Sequence, residues 1–241
     1  MKILLLLIST LFFLAPSFSQ NVKKDSLTDM QIKNAIDLYT KFTGPEKPVY
    51  NGTQYLYYTF KMDGDPYFIT GNFSTGWVEY KGRKYDSLSV MYDVNRNKVV
   101  IYGQDRSSMI VLENDFIDSF NLLGHTFIKL YEDHRENLYN TGFYDLLYNG
   151  HIQFLARRIK TRDPQIKGDL LVNFFYIKDR YYIHRDGLYY LVSNKKDVYH
   201  LFKDNLHNLK KMMRKDHLKF RKKNFEATMI KVTAFYDQLT H

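Results

Sequence analysis

The stretch WVEYKGRKYDSLSVMYDVNRNKVVIYGQDRSSMIVLE, residues Trp77 to Glu113, decides the fold. Apolar and aromatic residues recur in it at about every second position, which is the spacing of a β-strand with one buried face. Turn-forming residues interrupt this pattern three times, at Lys81–Gly82, Asn95–Asn97 and Gln104–Ser107. Short strands joined by short turns pair with their sequence neighbours, so the stretch predicts an antiparallel β-meander.

The same pattern extends from Tyr55 to Val192 and contains further hairpin signals. Asn149–Gly150 predicts a type I′ turn, because both residues accept the positive φ that this turn requires. The high aromatic share of 17% is typical of half-buried strands. It predicts a β-rich core with tyrosines on the outer face, and a stacking platform for sugars or a partner protein is the functional alternative.

The tripeptide His184-Arg185-Asp186 matches the opening of the catalytic loop of protein kinases. That loop needs an asparagine five positions after the aspartate, where Leu191 stands, and the chain contains neither a Gly-x-Gly nor an Asp-Phe-Gly sequence. Asp186–Gly187 between YYI and LYYLV is instead typical of a hairpin. The sequence therefore predicts a turn here and not a catalytic loop.

Helical spacing appears on both sides of the β region. Thr28 and Gln31 form a capping box, and Gly44 with Pro45 ends the predicted N-terminal helix. The apolar positions of this helix are Ile32, Ala35, Ile36, Tyr39 and Phe42. Two C-terminal helices follow the β region, with apolar stripes at Val198, Leu201, Phe202, Leu206, Leu209, Met212 and Met213, and at Phe225, Met229, Val232, Phe235, Tyr236 and Leu239.

These patterns predict an α+β protein with an N-terminal helix, a curled antiparallel β-meander and a C-terminal helical hairpin. A half-barrel or a roll remains open for the curled sheet. The predicted organisation is a signal peptide over 1–19, the N-terminal helix with the antiparallel β domain over 20–194, and the helical hairpin packed on the β domain over 195–241.

The first twenty residues, MKILLLLISTLFFLAPSFSQ, have the layout of a cleaved secretory signal. Lys2 precedes an apolar run from Ile3 to Leu14, and Ser17 and Ser19 are the small residues that a signal peptidase accommodates. We expect cleavage after Ser19 and an exported protein that is periplasmic, envelope-associated or secreted. The chain contains no cysteine, which excludes disulfides, thiol nucleophiles and cysteine-ligated zinc.

The net charge of +9 is concentrated near the C-terminus. Between Lys210 and Lys223 the only acid is Asp216, and the cations are Lys210, Lys211, Arg214, Lys215, Lys219, Arg221, Lys222 and Lys223. This stretch predicts a contact surface for an anionic envelope component, such as anionic lipid or polysaccharide, or for a partner protein, and not for nucleic acid. The alternative is a solvated turn whose cations neutralise the carbonyl end of the preceding helix.

Two loops resemble functional motifs incompletely. The sequence from Asp93 begins like a calcium loop, but Lys98 stands where a glycine is needed and Gln104 where a glutamate is needed. Ser74 lies in a segment like a nucleophile elbow, but Asn72 replaces its required glycine. Capping of a hairpin turn explains the first loop better, and we predict no nucleophilic serine in the second.

The remaining titratable residues form no recognisable site in the sequence. His200 and His207 lie about 10 Å apart along one predicted helix, which is too far to share a metal ion unaided. Asp86 and Asp145 lie on aromatic strands, where a buried carboxylate could act as an acid, but exposed strand-edge positions are expected for both. We therefore predict no catalytic residue, no cofactor and no metal site.

Five segments resemble a group of exported proteins of Bacteroidota that have no established activity. They are SFSQ at Ser17–Gln20, VYNGTQY at Val49–Tyr55, the segment Gly64–Asp93, the segment Gly142–Arg158 and the segment Asp204–Met229. The resemblance covers most of the chain and implies a bacterial envelope or secreted location. It implies no functional residue.

A non-enzymatic binding or interaction module of the envelope is the function that these observations favour. A carrier of lipid or another apolar ligand in the concavity of a curled sheet is the alternative. A hydrolase with dispersed catalytic residues is the third possibility.

Overall fold

The computed structural model of the protein describes residues 30–32, 34, 38 and 48–240. The chain divides into two compact units, residues 1–44 and 45–241. In the first unit, the described positions 30–32, 34 and 38 are helical, at the place of the predicted N-terminal helix. The predicted signal peptide, the Thr28 cap and the rest of that helix lie outside the described residues.

Fourteen β-strands are the main secondary structure in the described part of the second unit. Nine strands precede the residue pair Gly150–His151: β1 (Thr53–Gln54), β2 (Met62–Asp63), β3 (Ser74–Tyr80), β4 (Arg83–Asp93), β5 (Lys98–Tyr102), β6 (Met109–Val111), β7 (Ile117–Leu122), β8 (His125–Leu130) and β9 (Gly142–Asn149). Five follow: β10 (Gln153–Arg157), β11 (Lys160–Lys167), β12 (Leu170–Ile177), β13 (Arg180–Arg185) and β14 (Leu188–Val192).

Eleven of these strands form one antiparallel sheet in the order β1-β6-β5-β4-β3-β7-β8-β9-β10-β13-β14. The predicted meander is confirmed, because β3 to β6 and β7 to β10 each pair in chain order. The sheet is open, with β1 and β14 at its edges. A second sheet, β11-β12-β2, was not predicted, and its β12–β2 pair is parallel.

Side chains alternate between the two faces of the large sheet, and both faces are packed. Val90 and Tyr92 join one apolar cluster, whereas Met91 between them joins another. The prediction of tyrosines on an outer face is wrong for much of the sheet, because packing on both faces encloses their rings. The buried tyrosines are Tyr55, Tyr67, Tyr80, Tyr85, Tyr92, Tyr144, Tyr182, Tyr189 and Tyr236.

Three α-helices follow the sheet: α1 (Lys195–Leu201), α2 (Leu206–Lys215) and α3 (Phe225–Thr240). The prediction of one continuous helix along the apolar stripe from Val198 to Met213 is wrong, because a 3₁₀ turn at Lys203–Asn205 separates α1 from α2. Tertiary contacts hold this break, since Asp204 accepts a hydrogen bond from the hydroxyl of Tyr236 at 2.6 Å.

The helices pack on the sheet. Phe154, Ile183 and Val192 of the strands share one buried cluster with Phe202 and Met229 of the helical region. None of the helices in the described residues is both long enough and apolar enough to cross a membrane.

The connection at Asn149–Gly150 is a hairpin, but the predicted type I′ turn is wrong. Asn149 pairs with Gln153, so the loop has three residues, and neither Asn149 nor Gly150 has a positive φ. Asp237 of α3 enters the loop and accepts hydrogen bonds from the backbone N–H groups of His151 and Ile152. A side chain on Gly150 would collide with Asp237 Oδ2, so close packing and not backbone conformation requires glycine there.

The turn at Asp186–Gly187 is confirmed. Strands β13 and β14 pair up to Arg185 and Leu188, and the two residues between them have φ of 52° and 74°, as a type I′ turn requires. The carboxylate of Asp186 forms an exposed ion pair with Arg185 at 3.0 Å, which adds little stability.

Two substitutions at this turn should differ in their effect on stability. Asp186→Asn should change the free energy of unfolding by less than ~0.5 kcal/mol, because asparagine suits the same turn. Gly187→Val should lower it by roughly 1 kcal/mol or more, because a β-branched residue is strained at positive φ. Thermal melts of both variants test this. Equal melting temperatures would contradict the role assigned to Gly187.

Candidate functional site

The C-terminal basic stretch borders a cavity of about 730 Å³. Helix α2 places Lys210, Met213 and Arg214 on one face, because residues three and four apart are neighbours on a helix. The chain then turns and brings Lys219 and Arg221 back along the same cavity, and α1 contributes Lys195 from the other side.

The walls of this cavity carry one sign of charge. We call it the basic cavity, and its charged lining residues are Lys195, Lys210, Arg214, Lys219 and Arg221, with His217 beside them. None of the described carboxylates lines it. The side chains of these five cations form no ion pair with any described carboxylate, so their charge is not neutralised within that part of the chain.

Two rings, together with Met213 and Leu218, form the apolar part of the basic cavity. The Nζ atoms of Lys195 and Lys210 lie 5.1 Å and 5.3 Å from the ring centroid of Tyr199, and Phe220 meets that ring edge-on at 6.1 Å. Cations over aromatic rings are attracted to the ring face. The cavity therefore combines unneutralised cations with aromatic and aliphatic surface.

The structure divides the eight cations predicted as a contact surface. Four of them line the basic cavity, and Lys222 lines a neighbouring cavity of about 1040 Å³ that also includes Lys195 and Arg221. Lys211, Lys215 and Lys223 are exposed and line neither cavity. The sequence did not point to Lys195, because it lies on a different helix and outside the basic stretch.

The alternative explanation, that these cations neutralise the carbonyl end of a helix, accounts for only part of this arrangement. Arg214 and Lys215 lie in the last turn of α2, where cations interact favourably with the carbonyl end of a helix. Lys195 begins α1, where a cation is unfavourable, and Lys219 and Arg221 lie outside the α-helices. Mutual repulsion among these cations costs stability, so fold stability alone does not explain the cavity.

A second group of charges lies where Asp145 was expected to be exposed. That expectation is wrong, because the Asp145 carboxylate on β9 is buried against Arg158. Arg158 also binds Asp179 at 2.9 Å and Glu226 of α3 at 2.7 Å. We call these four residues the Arg158 cluster. Burying an unpaired carboxylate has a high free-energy cost, and the positive charge of Arg158 offsets that cost for Asp145.

All five N–H groups of Arg158 donate to these three carboxylates. Burial alone would lower the pKa of Arg158, but the hydrogen bonds and charges of Glu226 and Asp145 raise it above the ordinary value. The guanidinium therefore has a structural role, because it connects Asp145 of β9 and Asp179, just before β13, to Glu226 of α3. It has no donor left for a ligand.

His125 of β8 completes this region and borders a cavity of about 420 Å³. Its Nδ1 lies 2.9 Å from Asp145 Oδ2, an arrangement that fixes the ring, as in acid–base pairs of enzymes. The other oxygen of Asp145 is buried and has no hydrogen-bond partner among the described residues. No described serine, threonine or tyrosine hydroxyl bonds to His125, so this pair lacks an activated nucleophile.

Asp93 closes the turn after β4, as predicted. Its Oδ1 accepts a hydrogen bond from the backbone N–H of Arg96, and its carboxylate also accepts from the hydroxyls of Tyr55 and Tyr58. Burial, together with the charge of Asp93, raises the pKa of Tyr58. In the described ranges, no three or more His, Asp or Glu side chains are grouped so that they could hold a metal ion.

The other residues considered from sequence do not form a site. Asp86 is exposed beside Lys84, as expected, and does not join the Arg158 cluster. His200 and His207 are exposed. Ser74 begins β3 and does not lie on a turn between a strand and a helix.

Comparisons with family models, curated proteins and solved structures yield no match to this chain.

Proposed function

We propose that the protein is a non-enzymatic binding module of the cell envelope, which binds an anionic envelope component through the basic cavity. The observation that carries this proposal is the set of five Lys and Arg side chains around one cavity, whose lining includes no carboxylate from the described part of the chain. Export to the envelope rests on the pattern of the first twenty residues.

Phosphate-bearing lipid headgroups suit this cavity best. Lysine and arginine near an anionic membrane contribute about 1 kcal/mol each. If three of the five engage, binding to an anionic surface strengthens by roughly 3 kcal/mol, which is more than a hundredfold. Tyr199 and Phe220 supply ring surface that suits the boundary between headgroups and acyl chains.

The alternatives have less support in the described structure. The cavities beside α1 and α2 are open and carry charged side chains, which suits a polar surface ligand better than an enclosed apolar one. A hydrolase would rely on His125 and Asp145, and water would have to be the nucleophile. These features favour binding at a surface over a lipid carrier or a hydrolase.

Vesicle sedimentation tests the proposal. The protein should bind vesicles that contain phosphatidylglycerol and phosphatidylcholine, and should bind phosphatidylcholine vesicles weakly. Binding should fall steeply between about 0.01 M and 0.15 M salt, as the Debye length shortens from about 30 Å to about 8 Å. Equal binding to both vesicle types, or no binding to the anionic vesicles at low salt, would contradict the proposed ligand.

A further inference from the structure

Strand β14 forms an edge of the eleven-stranded sheet. It pairs with β13 along its whole length, from Leu188 opposite Arg185 to Val192 opposite Tyr181. No other described strand pairs with its opposite side. One row of its backbone N–H and C=O groups therefore has no strand partner in the described part of the chain.

The other sheet edges carry features that prevent pairing with a further strand. β1 and β2 are two residues long, and β11 contains Pro164 and four charged residues, Lys160, Arg162, Asp163 and Lys167. Short length, proline and charge are the ordinary protections of an edge. β14, with the sequence LYYLV, has no charge and no proline, and it pairs with β13 without a register shift. Its edge is open to pairing.

A groove of about 1350 Å³ runs along this unprotected edge. The consecutive residues Tyr190, Leu191 and Val192 all line it. Because successive side chains of a strand point to opposite faces, a cavity that touches three in a row lies along the backbone edge and not over one face. Helix α1 forms the opposite wall.

The charges along this groove are mainly positive. Its two carboxylates are already engaged, Asp186 by Arg185 and Asp197 by the backbone N–H of Ser193 at 2.8 Å. Three lysines that line the groove are exposed and pair with no described carboxylate: Lys195, Lys196 and Lys203.

We propose that β14 docks an extended acidic segment of a partner protein. The segment adds a strand to the sheet edge by main-chain hydrogen bonds, and its carboxylates lie against Lys195, Lys196 and Lys203. A second copy of this chain fits poorly, because pairing of two β14 edges would bring two sets of these lysines together. This site shares Lys195 with the basic cavity, but Lys196, Lys203 and the β14 edge lie outside that cavity, and the proposal does not depend on the membrane contact.

A synthetic probe tests the main-chain part of the proposal. The probe is a seven-residue peptide of alternating threonine and glutamate with blocked ends, compared with a threonine–lysine peptide. The glutamate peptide should bind at least tenfold more tightly and should shift the amide NMR signals of Leu188–Val192. Two further probes are N-methylated, one at every threonine and one at every glutamate. At least one should bind tenfold more weakly, because the N–H groups that face β14 are blocked.

Matched charge reversals test the side-chain part. The combined variant Lys195→Glu, Lys196→Glu and Lys203→Glu should lose at least tenfold in affinity for the glutamate peptide. The combined variant Lys211→Glu, Lys215→Glu and Lys223→Glu makes the same change in net charge on another surface and should retain most of it. The variant Arg214→Glu with Lys219→Glu, which impairs the basic cavity, should also retain peptide binding. A failure of the β14 proposal can therefore be distinguished from a failure of the membrane-contact proposal.

Four outcomes would overturn the proposal. They are the absence of binding of the glutamate peptide, unchanged binding of both N-methylated peptides, signal shifts confined to Lys210–Arg221, and self-association of the protein with amide protection at β14.

Discussion

Arg158→Met should lower the free energy of unfolding by about 3–5 kcal/mol, which is the usual cost of removing one partner of a buried ion pair. The substitution leaves the buried Asp145 carboxylate without its opposite charge, and it also releases Asp179 and Glu226. Because whole domains are stable by only about 5–15 kcal/mol, the loss should be plain in urea unfolding.

A matched control separates burial from ion pairing itself. Arg135 binds Asp133 at 2.7 Å, but its side chain is 90% exposed. Arg135→Met should therefore change stability by no more than about 1 kcal/mol. Arg158→Lys, which keeps the charge but loses the forked geometry, should fall between wild type and Arg158→Met.

Urea unfolding at neutral pH compares Arg158→Met, Arg158→Lys and Arg135→Met with wild type. A loss below 1 kcal/mol at neutral pH, or a loss equal to that of Arg135→Met, would contradict the structural role of the cluster.

Alkaline pH should destabilise the protein steeply. Burial raises the pKa of Tyr144 and of Tyr236 to about 12, and it also raises the pKa values of Tyr55 and Tyr92. The unfolded chain releases these protons near pH 10, whereas the folded chain retains them. The stability that these protonated, buried tyrosines give the fold is therefore complete below pH 10, and it is lost as pH rises from 10 through 12.

Each retained proton lowers the free energy of unfolding by about 1.4 kcal/mol per pH unit within that window. With four buried tyrosines, the slope should reach several kcal/mol per unit. Urea unfolding at pH 8, 10 and 11 measures it, and the absence of cysteine removes thiol chemistry as a complication. The combined variant Tyr144→Phe and Tyr236→Phe should show a shallower slope. A flat profile from pH 8 to 11 would contradict the burial of these hydroxyls.

Local chemistry explains why much of the sheet could be predicted. Strands β3 to β6 are joined by short turns, and the residues at Lys81–Gly82 and Asp186–Gly187 take the positive φ that their turn types require. The neighbours β3–β7 and β10–β13 could not be predicted, because alternation indicates that a strand has a buried face but not which distant strand lies beside it.

The failed predictions have a common physical cause, which is contact between residues far apart in sequence. Asp145 is buried because Arg158 compensates its charge, and Glu226, 68 residues beyond Arg158, completes that cluster. The loop at Gly150 has its shape because Asp237 reaches it. Tertiary hydrogen bonds of this kind override a local turn preference.

The candidate site was predicted in part. Four residues of the basic cavity could be predicted, because they belong to one short stretch of sequence in which cations far outnumber acids. Lys195 lines the cavity, and Lys211, Lys215 and Lys223 do not, because of the way α1 and α2 pack. The spacing of hydrophobic residues does not specify this packing. The groove along β14 depends on the strand order in the same way.

The most direct test of the central claim compares two charge reversals on anionic vesicles at low salt. One variant combines Arg214→Glu, Lys219→Glu and Arg221→Glu in the basic cavity, and the other combines Lys211→Glu, Lys215→Glu and Lys223→Glu outside it. Thermal melts first establish that both are folded. The cavity variant should bind vesicles of phosphatidylglycerol and phosphatidylcholine at least tenfold more weakly than wild type, and the second variant should retain most of the binding. Equal losses in the two variants, or no loss in the cavity variant, would contradict binding through the basic cavity.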